Sequence, residues 1–236
     1  MAEPNTIYQY SLLSALMAGV CEEGITASKL SSKGNQGIGT FARMNGELIL
    51  LDGKVYQLTP NGPPREASAN DQIPFAMAVN FVPTHTKTNF TISNKNSLNE
   101  VLEEILPQTN NVFISYRIEA RFSSITVRMV RGQEYKGQPL SELGENQSVQ
   151  TYTDIDGIIV GFRSPQPWQG FSVAGKHLHF ISLDRGRGGH VLEMVASDAK
   201  LSAAVASNVH VELPTSAEFN TTNLVVDDAG IRKVEG

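Results

Sequence analysis

Three of the five histidines in this chain, His177, His179 and His190, fall within a span of 14 residues. The first two lie in Lys176-His177-Leu178-His179-Phe180-Ile181-Ser182, which alternates as a strand does. A strand places His177 and His179 on one face and Leu178 and Phe180 on the other. His190 follows the glycine-rich connection Asp184-Arg185-Gly186-Arg187-Gly188-Gly189. In a hairpin, His179 would face His190 with the turn centred near Asp184 and Arg185 and the extra glycines taken up in a bulge. Three imidazoles converging with an open position are what catalytic zinc favours. A strand histidine is ordinarily just half-buried and hydrogen-bonded, so the spacing is compatible with a metal site without requiring one.

Two further side chains stand out. Glu47 opens a strand directly after a tight turn, in an otherwise apolar run, and could be a turn carboxylate or a functional one. Arg128 sits in Thr126-Val127-Arg128-Met129-Val130, either facing outward from a strand or clamping an anion. The remaining candidates read as structural. His85 lies in a threonine-rich turn, His210 alternates with Asn208 and Glu212 on a polar face, and Cys21 is a small residue in an apolar stretch. No Gly-x-Ser-x-Gly elbow is present, and Gly34, Gly37 and Gly39 lack the lysine and spacing of a phosphate loop.

The elements that must position these groups predict an α+β fold with a large antiparallel share. A helix is expected from Asn5 or Thr6 to about Val20, and a shorter one over Ala27–Ser32. Asn45-Gly46 should join a strand Gly39–Met44 to Glu47–Leu51, and Asp52-Gly53 should join that to Lys54–Leu58. Ser97 and Glu100 read as a capping box before an amphipathic helix beginning at Leu98. Strands are expected at Phe75–Val82, Val112–Phe122, Ile125–Val130, Gln150–Phe162, Gly170–Val173, Lys176–Leu183, His190–Ala196 and Ala203–Leu213. Order and connector composition suggest a helical and sheet-forming region over 1–139 and a β-barrel-like region over 140–236.

Composition narrows the function classes. A chain of 236 residues with 40% hydrophobic and 18% charged residues can bury a core. A net charge of −5 without a basic run argues against a nucleic-acid surface. One cysteine excludes an internal disulfide framework, no stretch reaches membrane-span length, and the first residues do not read as a signal peptide. A cytoplasmic protein with no membrane partner is expected.

With these residues in view, the chain resembles the α-acetolactate decarboxylases from end to end. The motifs that carry the likeness are Tyr8-Gln9-Tyr10-Ser11, Ser14-Ala15-Leu16-Met17-Ala18-Gly19 and Gly37-Ile38-Gly39-Thr40-Phe41. They continue with Gly46-Glu47-Leu48-Ile49, Tyr116-Arg117-Ile118, Val127-Arg128 and Gly161-Phe162-Arg163-Ser164-Pro165. The most specific are His177-Leu178-His179-Phe180-Ile181 and Gly188-Gly189-His190-Val191. The chain departs from the family in the connector Val130-Arg131-Gly132-Gln133 and in a tail slightly shortened between Leu224 and Glu235.

The resemblance implies a two-part α+β homodimer that decarboxylates 2-acetolactate to acetoin without oxidation, in acetoin and butanediol formation. It implies zinc held by His177, His179, His190 and the tail residue Glu235. Glu47 and Arg128 become active-site residues, and Thr40 a substrate contact. That chemistry suits the residues, since zinc can stabilise an enediolate as a Lewis acid, Arg128 can fork a carboxylate, and Glu47 can return a proton. Glu218 is the competing carboxylate for the metal, and Ile231 and Val234 are the residues able to pack the tail down. Two other readings of the histidines stay open: a cupin-like metal oxygenase and a non-catalytic metal-binding module.

Overall fold

Strand-forming sequence dominates the chain, and most of it folds as strand. The structure, a computed structural model, describes residues 3–143, 147–225 and 231. The chain begins β1 (Ile7–Tyr10), α1 (Leu13–Met17), β2 (Ile25–Thr26), α2 (Ala27–Ser31), β3 (Gln36–Thr40), β4 (Glu47–Leu51), β5 (Lys54–Leu58), β6 (Arg65–Glu66), β7 (Gln72–Ile73) and β8 (Phe75–Val79). It continues β9 (His85–Ile92), α3 (Leu98–Ile105), β10 (Phe113–Met129), α4 (Leu140–Leu143), β11 (Ser148–Ser164), β12 (Gly175–Ser182), β13 (Gly188–Ala206), β14 (Val209–Glu212) and α5 (Ala217–Thr221).

These strands make two main sheets. One runs β14-β1-β8-β3-β4-β5-β6, antiparallel except for the parallel β1–β14 pair. The other runs β10-β11-β12-β13-β9, and β10 pairs again with β13, so four antiparallel ladders close into a ring. The fold is α+β, mainly antiparallel, with a barrel-like second sheet. Sheet membership crosses residue 139 in both directions: β9 and β10 join the ring, and β14 returns to β1.

Alternation decides what each face of the ring buries. Ile114, Tyr116, Phe122, Leu178, Phe180, Val191 and Leu201 point inward and pack with Leu98 and Leu102 of α3. Gly161 makes room for that core: a Cβ there would stand 2.5 Å from Cε2 of Tyr116 and 2.6 Å from Cδ2 of Leu178. The opposite faces of β11 and β12 present Ile158, Val160, Phe162 and Ile181 to Ile38, Ile49 and Met77 of the first sheet. Side chains that follow this outward parity therefore lie between the two sheets, and His177 and His179 do.

Several local expectations change. Residues Ile7–Tyr10 form a strand and only Leu13–Met17 is helical. All four residues of β1 are buried between β8 and β14, and Ser11 at φ 67° breaks the run. Burial on both faces removes the alternation that distinguishes a strand from a buried helix. The strand expected over Gly39–Met44 ends at Thr40, because Arg43 and Met44 adopt left-handed backbone at φ 58° and 52°. The cap shifts upstream: Asn94 Oδ1 accepts from the Ser97 N–H at 2.9 Å, closing a box over the Lys95–Ser97 turn, and Ser97 makes no side-chain cap for α3. The two strands expected over 112–130 are one, with a register shift between Phe122 and Ser124. Gly170–Val173 is not a strand, and the run 203–213 divides between β13 and β14.

Candidate active site

The β12–β13 hairpin sets the histidines by register. His179 pairs with His190, Phe180 with Gly189 and Ile181 with Gly188, so the turn centres between Asp184 and Arg185 as expected. Arg185 takes the left-handed position at φ 59°, and Asp184 Oδ1 accepts from the Gly186 N–H at 2.8 Å. The bulge expected at the glycines is absent from this ladder, and a separate register shift lies on the other side of β13. There the register slips between Thr126/Glu193 and Val127/Val191, leaving Leu192 as the extra residue. After the slip, His190 pairs directly with Arg128. His179, His190 and Arg128 thus stand in one row across three strands. Gly189 permits the approach of β13 to β10, since a Cβ there would lie 2.8 Å from the Arg128 carbonyl and its φ is 152°.

All three imidazoles are buried, and their ring centroids are 5.0, 5.1 and 5.4 Å apart. One nitrogen from each lies within 4.8 Å of the others. Burial, reinforced by the charges of Arg128 and Lys95, holds His177 down to about 3. The same causes, with the neighbouring histidines, put His190 well below the ordinary histidine range. Both rings are therefore neutral near pH 7, the form that donates a lone pair to a metal. His179 Nδ1 lies 2.6 Å from the Leu48 carbonyl. A carbonyl can only accept, so Nδ1 carries the proton and Nε2 presents its lone pair, as a metal-ligating histidine does with its outer partner.

The first sheet contributes a buried glutamate. Glu47 begins β4, is 7% exposed, and brings Oε2 to 3.5 Å from His179 Nε2. Both of its chain neighbours are pinned, with the Leu48 carbonyl against His179 and the Gly46 carbonyl accepting from Thr40 Oγ1 at 2.8 Å. Thr40 also pairs with Glu47 across β3–β4. The left-handed turn upstream is tied down by Arg43 N–H donating to the Cys21 carbonyl and Gln133 N–H donating to the Arg43 carbonyl, each at 2.7 Å.

Thr40, Glu47, Arg128 and His177 line one narrow cavity with about 30 Å³ of space for water. Its polar wall is Thr40, Glu47, Arg128 and His177; its apolar wall includes Leu13 and Leu16 of α1, Met44, Phe75 and Leu140 of α4. Arg128 is 2% exposed and donates from Nη1 to the Gln147 amide oxygen at 3.2 Å. The structure therefore brings together Thr40, Glu47, Arg128, His177, His179 and His190 from five strands.

Other candidates lie elsewhere. His85 is exposed beside Thr84, and His210 stacks on Tyr8 at 5.8 Å. Cys21 is buried, which together with the nearby Glu22 and Glu218 pushes its thiol up to about 12. Glu218 on α5 faces Lys136 at 3.7 Å and lines a different cavity with Val20 and Glu22. Glu235 and Val234 lie outside the described residues, but Ile231 is 2% exposed and packs with Leu13, Leu16, Met44 and Leu140. Reading the sequence missed Lys95, a buried cation in a turn that reads as solvated, and Gln147, which falls in the connector. Nothing local marks either of them.

A family model described as alpha-acetolactate decarboxylase matches residues 7–226. The alpha-acetolactate decarboxylase of Klebsiella aerogenes is 35% identical over 233 residues, covering 98% of this chain and 89% of its own length. That of Bacillus subtilis strain 168 is 33% identical over 220 residues, covering 93% and 86%. A crystal structure of alpha-acetolactate decarboxylase from Bacillus subtilis strain 168 superposes with a TM-score of 0.93 at 32% identity, covering 98% of this chain and 99% of that one. A Staphylococcus aureus structure, described as a protein of unknown function similar to alpha-acetolactate decarboxylase, gives a TM-score of 0.90 at 30% identity, with 98% and 100% covered. In sequence and in fold alike the likeness runs along almost the whole chain, which belongs to the α-acetolactate decarboxylase family.

Proposed function

We propose that this chain catalyses the zinc-dependent, non-oxidative decarboxylation of 2-acetolactate to acetoin in the cavity lined by Thr40, Glu47, Arg128 and His177, beside His179 and His190. The observation that carries this reading is the convergence of His177, His179 and His190 beside a buried carboxylate and a buried guanidinium. Family membership supplies the substrate class.

The donor set fits zinc. Three buried imidazoles, two of them held neutral by their surroundings and the third turned by the Leu48 carbonyl, are ligands of the type and number found in catalytic sites. Zinc bound there supplies Lewis-acid stabilisation of the charge that develops on the substrate oxygens. Glu235 is the fourth protein ligand in this reading. Burial of Ile231 four residues earlier, against the wall of the same cavity, supports a tail that returns to the site.

The remaining work falls to the chain itself. Arg128 binds the substrate carboxylate with its planar fork, and burial strengthens that attraction. The apolar wall of Leu13, Leu16, Met44 and Leu140 receives the methyl groups and keeps water from the reacting carbon. When the carbon–carboxylate bond breaks, carbon dioxide leaves and the electron pair flows into the adjacent ketone. Glu47 then delivers a proton to the carbon and is reprotonated from solvent. Thr40 already donates its proton to the Gly46 carbonyl, so toward substrate its oxygen accepts. In the same reading the chain acts as a cytoplasmic homodimer, with no nucleic-acid or membrane partner. The net charge of −5 is consistent with this, and no helix among the described residues is long and apolar enough to cross a membrane.

Metal analysis coupled to carbon dioxide release from racemic acetolactate tests the proposal. About one zinc per chain is expected, and His177→Ala, His179→Ala and His190→Ala should each lose metal and activity together. Full metal retention and full turnover in any of the three would remove that histidine from the site. Oxygen consumption by the metal-loaded protein would favour an oxygenase instead.

A further inference from the structure

Arg128 is a long side chain asked to present a planar group at one angle, and the structure supplies a neighbour that fixes the angle. On β10, Arg128 pairs with Val149 of β11 and with His190 of β13. Gln147 stands two residues before Val149, just ahead of the strand, and the period of two brings it to the same face. From there its amide oxygen accepts a hydrogen bond from Arg128 Nη1 at 3.2 Å.

We propose that Gln147 is a positioning residue that aims the Arg128 guanidinium at the substrate carboxylate, an inference that rests on the role given to Arg128 above. The guanidinium is 2% exposed, so bulk water does not solvate and orient it. An acceptor at one Nη constrains the rotation of the whole fork, because the group is planar. The acceptor is also neutral. A carboxylate in the same place would hold the fork equally well, but would add a negative charge where an anionic substrate must bind. The amide orients Arg128 while contributing no charge of its own.

The test compares Gln147→Glu, Gln147→Met and Arg128→Met by steady-state kinetics on zinc-loaded enzyme, with zinc content and melting temperature measured alongside. Gln147→Glu is expected to raise KM about tenfold or more near pH 7, with a smaller change in kcat. Relative to the parent enzyme, that penalty should shrink toward acid pH as the introduced carboxyl is protonated. Gln147→Met keeps the length and loses the acceptor, so it should raise KM by a smaller factor that does not depend on pH. Zinc content should match the parent in both. An unchanged KM in both Gln147 variants, with Arg128→Met raising KM strongly, would overturn the role of Gln147 alone. An unchanged KM in Arg128→Met would overturn the carboxylate-binding role of Arg128 and this inference with it. If Gln147→Glu fails to fold, the KM of Gln147→Met decides.

Discussion

Glu47 shows how much one residue's role depends on what surrounds it. Its carboxylate is 7% exposed and lies 3.5 Å from His179 Nε2, with both flanking carbonyls committed to Thr40 and His179. A group held this firmly can deliver a proton to one point of the cavity. Glu47→Gln preserves the shape and removes the proton, so zinc content should stay at the parent level. Acetoin formation should fall by roughly 10²-fold or more, the usual scale for losing a general acid. Parent-level turnover across pH would assign protonation to another donor. From the sequence, Glu47 is a carboxylate after a turn; its approach to His179, 132 positions away, is a tertiary contact.

At the level of elements, the β12–β13 hairpin is where sequence and structure agree most closely, because alternation and turn chemistry are local. Its buried histidines also carry a cost in the metal-free protein. The His177 pKa is about 3 in the folded chain, against 6.5 ordinarily, so below pH 6.5 the unfolded state binds the extra proton. His190 shifts in the same direction. Stability of the chelated protein is thus full above pH 6.5 and should fall as pH drops toward 3, by on the order of 1.4 kcal/mol per pH unit from His177, with His190 acting in the same direction. Denaturant midpoints of chelated protein, measured across this window, should fall more steeply than those of chelated His177→Asn. Equal slopes would mean that His177 is not held neutral. Elements buried on both faces depart most from what local pattern predicts, and β1, where the sequence predicts the start of a helix, is the plainest case.

At the scale of the whole molecule, the site is shared by the two sheets. The ring core of Tyr116, Phe122, Leu178 and Phe180 lies on the other side of β12 from the histidines, so removing the metal should leave the chain folded at neutral pH. The proposed role of Glu235 is tested at this scale too. Deleting residues 233–236, or making Glu235→Gln, should weaken zinc binding at least tenfold, since even outer partners of a metal site are worth about that. Glu218→Gln should leave it unchanged, because Glu218 faces Lys136 beside another cavity. A chelator-competition titration of the three variants separates these outcomes. The reverse ranking would move the ligand to Glu218, and parent affinity in all three would leave water to complete the shell.

The sequence by itself determined the shared face of His177 and His179, the α3 helix, the β4–β5 hairpin and an α+β class, and it made a turn near Asp184 and Arg185 the condition for His179 to face His190. Each follows from spacing within a few residues, where backbone periodicity and turn preferences act directly. The tertiary structure decided that β13 slips by one residue at Leu192 to place His190 beside Arg128, that Gln147 reaches Arg128, and that the Leu48 carbonyl meets His179 across 131 residues. The physical reason is that strand pairing and sheet packing satisfy backbone groups and bury faces between segments distant in the chain, and no local pattern records which segment a given face will meet.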